Sequence, residues 1–154
     1  MYWLILIGGI LLDRISKLLV MNNMELFEYI TVIPHVLNFV YVTNDGAAFS
    51  MFSGQRWGLI LFTFVALALL YFLWRFAQKE SELFRIAVVM IASGAIGNFV
   101  DRLVYTEVID FLQFGFWTSF PVFNVADILI VLGAGFIILD LFLNNKKEEA
   151  NEHK

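Results

Sequence analysis

Between Trp57 and Trp74 the chain runs 18 residues without a charged side chain. As a helix this stretch rises about 27 Å, close to the thickness of a bilayer's hydrocarbon core. Tryptophans at both ends stand where interfacial anchors stand. Three further apolar runs accompany it, at Tyr2–Met21, Phe84–Leu103 and Asn124–Leu143. The first lacks a basic start and is interrupted by Asp13, Arg14 and Lys17, so it reads as a retained helix and not as a cleaved leader. Of the 154 residues 60% are apolar, more than a soluble domain of this size can hide. The predicted fold class is membrane α-helical, with four transmembrane helices. Residues 1–144 make a single domain, and 145–154 a charged, mobile cytoplasmic tail.

Charge and composition exclude several functions. A net charge of −4 argues against a nucleic-acid partner, whose phosphates require Lys and Arg. With no cysteine there is no disulfide, no thiolate metal site and no Cys nucleophile. His35 falls in a connection and His153 in the tail. No H-E-x-x-H or its inverse exists, so a zinc peptidase finds no support. Ala92-Ser93-Gly94 has no histidine on any span to serve as its base. Ser93, Gly94, Ala95 and Gly97 read instead as a close helix-packing surface.

Basic residues give the spans a direction. Arg75, Lys79 and Arg85 follow the second run, and Lys146, Lys147 and Lys154 lie in the tail. The first connection carries only Arg56 beyond the helix ends, and Tyr105–Phe123 is free of Lys and Arg up to the fourth run. The positive-inside rule therefore places both termini in the cytoplasm. Lys17 then lies roughly 24 Å along its helix, near the outer face. Asp13, Lys17, Asn98, Asp101, Asp110, Asn124 and Asp127 all converge on that side. The connections there carry strand signals at Val36–Thr43 and Val108–Phe114, and Asn44-Asp45-Gly46 supplies the chemistry of a hairpin turn. A small β-sheet built from the first and third connections is expected on the outer face.

Asp127 heads the fourth apolar run, where an ionised carboxylate costs roughly 2.5–3.5 kcal/mol on insertion scales. Asp110 is a second acid of the same kind. One reading makes them solvated carboxylates, with Asp127 helping to cap its helix. The other makes them a pair sharing one proton, the chemistry of aspartic hydrolases. Asp101 is followed by Arg102 and is expected to be ion-paired and structural. Asp13 and Lys17, four apart, pair on one helix face. Asn98 and Asn124 each stand three residues before an Asp, placed to bind a substrate backbone or to hold the carboxylates. Asn44 with Gly46, Ala47 and Ala48 gives either a plain turn or room for a peptide to approach. Asp140, near the inner end of the fourth run, is expected to be solvated.

These blocks, taken in order, resemble the bacterial lipoprotein signal peptidases, or signal peptidase II. The matching residues are Asp13-x-x-x-Lys17, Asn44-Asp45-Gly46-Ala47-Ala48-Phe49-Ser50, Gly97-Asn98-x-x-Asp101-Arg102, Val108-Ile109-Asp110-Phe111 and Phe123-Asn124-x-Ala126-Asp127. The chain departs from the family pattern at Arg14, where Gln is usual, and at Ser93 and Thr106, where Gly is usual. The resemblance implies an endopeptidase of the bacterial inner membrane that acts on diacylglyceryl-modified prolipoproteins and cuts before the lipidated cysteine. It implies Asp110 and Asp127 as the catalytic pair. Asp101, Asn98, Arg102, Asn124, Ala126, Asn44, Gly46, Asp13 and Lys17 would support the site or bind substrate. It implies no cofactor and no metal. The partners are lipid-modified signal peptides and membrane lipid, and the chain is expected to act as a monomer. The alternative is a small membrane transporter or channel with an outer carboxylate cation site. That alternative needs polar residues through the inner half of the bundle. The second span offers only Thr63, and Ile86–Ile91 and Leu129–Leu139 are apolar.

Overall fold

A computed structural model describes residues 1–46, 54–77 and 80–152, with side chains described as far as Asn144. The expectation for Ala47–Ser50 lies outside the described residues. Four helices and three strands follow in the order α1 (Tyr2–Asn23), β1 (Tyr29–Ile33), β2 (Leu37–Asn44), α2 (Arg56–Ala77), α3 (Glu82–Val104), β3 (Val108–Phe114) and α4 (Val125–Glu152). The apolar runs become the helices because a backbone surrounded by apolar side chains must satisfy its own N–H and C=O groups. α3 starts where Ser81 accepts a bond from Phe84 N at 3.0 Å, an ordinary N-cap. α2, α3 and the Val125–Asn144 part of α4 are long and apolar enough to cross a membrane. α1 does not reach that measure, because Asp13, Arg14 and Lys17 share its length. α4 continues through Glu152, where a mobile tail was expected. Lys146, Lys147, Glu148, Glu149 and Ala150 are good helix formers and carry the turn onward.

α3 is the central helix and packs against the other three. Its buried face is made of small or polar residues, including Ser93, Gly94, Gly97, Asn98 and Asp101. At Gly94 an added Cβ would strike the carbonyl oxygen of Ala126, so α3 and α4 meet backbone to backbone. The expected packing role of this stretch holds. Burial is inverted relative to a soluble protein: Lys17 and Asp101 are fully buried, while Trp3 and Trp57 are each 74% exposed. Apolar side chains outside and polar ones inside are what a lipid solvent selects.

The sheet caps one end of the helices. Its order is β1-β2-β3, antiparallel throughout. β2 and β3 match the expected strands, whereas β1 is an additional one. It pairs with β2 through Tyr29↔Val40 and Thr31↔Asn38. The hairpin turn therefore lies at Pro34–His35, with His35 at φ 61°, and not at Asn44–Gly46. Asn44 ends β2 opposite Val108, and its side chain accepts from Gly46 N at 2.9 Å to close a local Asx turn. Gly115 is required at the far end of β3, because a Cβ there would lie 2.7 Å from the backbone of His35 and Val36.

At the opposite end Asp140 is buried, contrary to expectation. It accepts bonds from the Ser81 hydroxyl and from Asn144 Nδ2. Ser81 sits at the start of α3 beside the far part of α4, so the carboxylate ties two helices together instead of facing water.

Candidate active site

Asp110 is the third residue of β3, and Asp127 the third residue of α4. Each is aimed by a local device. β2 carries a bulge: Phe39 pairs with Leu112 and Val42 with Asp110, leaving Val40 and Tyr41 opposite Phe111. A bulge adds twist and re-aims the side chains beside it. Asp127 is fixed by a reciprocal capping box. Asn124 Oδ1 accepts from Asp127 N at 3.0 Å, and Asp127 Oδ2 accepts from Asn124 N at 3.1 Å. The capping role weighed from the sequence is therefore real, and it orients the acid.

Amides hold both carboxylates. Asn98 Nδ2 donates to Asp127 Oδ1 at 2.8 Å. Asn124 Nδ2 donates to Asp110 Oδ1 at 2.6 Å, and Asn44 Nδ2 to Asp110 Oδ2 at 3.1 Å. Asn124 thus touches both acids and bridges them. Among the described residues no Lys or Arg makes an ion pair with either. Burial pushes the Asp110 carboxyl up to about 7. The charge of Asp127 adds to the rise, and the bonds from Asn44 and Asn124 oppose it.

Asp101 does not pair with its neighbour Arg102. Consecutive helical residues point about 100° apart and do not face one another. Its partners come from α1 instead: Lys17 Nζ at 2.7 Å and Arg14 Nη1 at 2.7 Å. Lys17 donates further to Asp13 Oδ2 at 2.9 Å and Asn98 Oδ1 at 2.9 Å, so its three donors meet three acceptors. Asp13 Oδ1 in turn accepts from Ala126 N at 2.9 Å. A carboxylate from α1 thereby satisfies the start of α4. Arg102 turns the other way, donating to Gly46 O at 2.9 Å and to Asn98 O at 3.3 Å. Its buried Nε has no partner among the described residues.

Asn44, Asn98, Arg102, Asp110 and Asp127 line the polar end of a cleft of about 520 Å³. Apart from Thr63, the rest of that cleft is lined by apolar residues, among them Leu59, Phe62, Ala66 and Leu70 of α2 and Ile130 and Val131 of α4. α2 leans on α3, with no comparable contact to α4 among the described residues. All eleven residues expected at the site thus fall within one end of the bundle, in two groups. Arg14 and Tyr105 belong to the same end and were not among the expected site residues. The signal for Arg14 was its one-residue offset from Asp13. Among the described residues no group of three or more His, Cys, Asp or Glu is placed to hold a metal ion.

Residues 5–143 match the family model of signal peptidase (SPase) II. The chain belongs to that family, a family of proteases. A lipoprotein signal peptidase of Listeria monocytogenes is 37% identical over 95% of this chain and 96% of its own length. One of Shewanella pealeana is 43% identical over 98% and 91%. Two solved structures, both described as bacterial membrane enzymes, superpose with TM-scores of 0.87 and 0.81 at 29% and 30% identity. The first match covers 95% of this chain and 90% of the solved one, the second 91% of each.

Proposed function

We propose that this protein is a lipoprotein signal peptidase of the aspartic type, with Asp110 and Asp127 as its catalytic pair. The observation that carries the reading is two carboxylates held by amides alone, bridged through Asn124, at the polar end of an apolar cleft. Charge bookkeeping supports a shared proton. Arg14, Lys17 and Arg102 face Asp13, Asp101, Asp110 and Asp127, and Arg102 senses the charges of Asp127, Asp110 and Asp101. Three cations and four carboxylates are neutral when the pair carries one proton. That proton resides mainly on Asp110, the more deeply buried acid.

The chemistry then runs as follows. Asp127 takes a proton from water as its oxygen adds to the scissile carbonyl. Asp110 gives its proton to the carbonyl oxygen. When the C–N bond breaks, Asp127 passes its proton to the leaving nitrogen and Asp110 regains its own. The Nε of Arg102, without a partner among the described residues, is proposed to donate to a backbone carbonyl of the substrate. The apolar cleft between α2 and α4 suits the side chains of a signal peptide, and its open flank lets acyl chains remain in lipid.

The substrate class is the diacylglyceryl-modified prolipoprotein, cut before the lipidated cysteine. α1 is proposed as a fourth span whose charges face the bundle and not lipid. Residues 1–144 form the catalytic domain, in the inner membrane, with both termini cytoplasmic and the sheet end outside. A monomer contains the whole site. Cleavage of a lipidated prolipoprotein peptide by the purified protein is the test. A new amino terminus at the modified cysteine is expected, and an intact peptide would overturn the reading. For topology, single cysteines at Ser53 and Thr118 should react with an impermeant thiol reagent on intact cells, and those at Gln78 and Asn151 should not. The reverse pattern would invert the orientation.

A further inference from the structure

Between α3 and β3 the chain reverses through Thr106, whose backbone is left-handed at φ 75°. Thr106 follows the C-cap Tyr105, the position where glycine normally stands because it has no Cβ to clash. A β-branched residue there is strained. The turn must nevertheless hold its shape, because Asp110 follows four residues later. Asp101 grips it at both ends: its carbonyl accepts Tyr105 N at 2.7 Å, and its Oδ2 accepts Ile109 N at 3.4 Å. Arg14 grips it from α1. One Nη bonds Asp101 Oδ1 at 2.7 Å, and the other donates to the Tyr105 hydroxyl, with Cζ 4.8 Å from that ring's centroid. Lys17 already neutralises Asp101. What Arg14 adds is a planar fork that spans two residues of one turn, which a lysine cannot do.

Resting on Asp110 and Asp127 as the reacting pair, we propose that Arg14 is a positioning residue: by tying Asp101 to Tyr105 it holds the strained Thr106 turn, and through it the orientation of Asp110. The need for the clamp arises from the residue at 106. A glycine there relaxes the turn without help, so Arg14 and Thr106 are coupled through Asp101 and Tyr105.

The test is a double-mutant cycle in the full-length protein, read by cleavage of a lipidated prolipoprotein peptide. Arg14→Gln is expected to lower kcat about tenfold, since small misplacements of a reacting group are costly. Its KM should stay within about twofold, because ground-state binding is untouched. Thr106→Gly alone should behave as the parent does, and adding it to Arg14→Gln should restore kcat to within about threefold of the parent. Full kcat in Arg14→Gln, or losses that glycine does not rescue, would overturn the clamp. If Arg14→Gln melts before it can be assayed, Tyr105→Phe removes only the hydroxyl contact. It must then show a kcat loss that Thr106→Gly cancels, and no such loss also overturns the proposal. Asp110→Asn runs alongside. Activity in that variant brings down the dyad, whereas an inactive one with no coupling between positions 14 and 106 brings down the clamp alone.

Discussion

Four aspartates crowd one end of the bundle, and they meet opposite treatment. Asp13 and Asp101 meet cations: Lys17 lies between them and Arg14 adds to Asp101. Asp110 and Asp127 make no ion pair among the described residues and are held by amides, from Asn44, Asn98 and Asn124. A cation fixes a neighbouring carboxylate as an anion. An amide donor fixes where the carboxylate sits and favours the anion less strongly than a full positive charge does. On the proposed mechanism the first pair serves structure and the second serves the chemistry. Proximity and burial do not separate the two sets, but the kind of partner does.

The strongest way to break this contrast is to remove one charge from each set. Asp110→Asn and Asp127→Asn should each lower kcat by about 10³-fold or more, since members of a reacting unit fail together. Their melting temperatures should stay close to the parent's. A variant of this pair that retains activity, or that loses its fold instead, would erase the distinction. Lys17→Met should do the reverse. It leaves two buried carboxylates short of their cation, at a cost of about 3–5 kcal/mol. The loss is read by thermal unfolding in detergent, and an unchanged melt would show that the ion cluster is dispensable.

A smaller effect sharpens the comparison through pH. With Asp110 raised to about 7 and acting in its protonated form, kcat should fall as pH rises through that value. Asn44→Ala removes a bond that favours the anion, so the falling limb should move to higher pH by about one unit. A limb that stays put or moves down would take Asp110 out of the acid role. Stability carries the same sign. The folded chain binds this proton more tightly than the unfolded one does, so Asp110's contribution is full below the ordinary 3.8 and is lost as pH rises towards about 7.

Much of this was legible in the sequence because lipid as solvent leaves few options. Uncharged runs had to be helices, and polar residues at matching depths had to meet. β2 and β3 were visible as β-branched and aromatic runs. β1 was missed although Tyr29-Ile30-Thr31-Val32-Ile33 carries the same signal. Asn44-Asp45-Gly46 is the stronger turn sequence, but the hairpin closes at His35, a residue with no preference strong enough to announce it. The partner of Asp101 was misread because Arg102 is adjacent in sequence, while Arg14 is 87 residues away and close only after α1 docks on α3. Asp140 was misread for a like reason, since its partner Ser81 belongs to another helix.

The bond from Asp13 to the amide of Ala126 spans 113 positions and joins the first helix to the last. A chain made from its amino terminus holds α1 long before α4 exists. Until α4 arrives, Asp13 and Lys17 have each other on one helix face, four residues apart, and so carry no net charge while they wait. The final helix meets a carboxylate that the first has kept in reserve, and its arrival brings Asp127 to Asp110, the proposed catalytic pair.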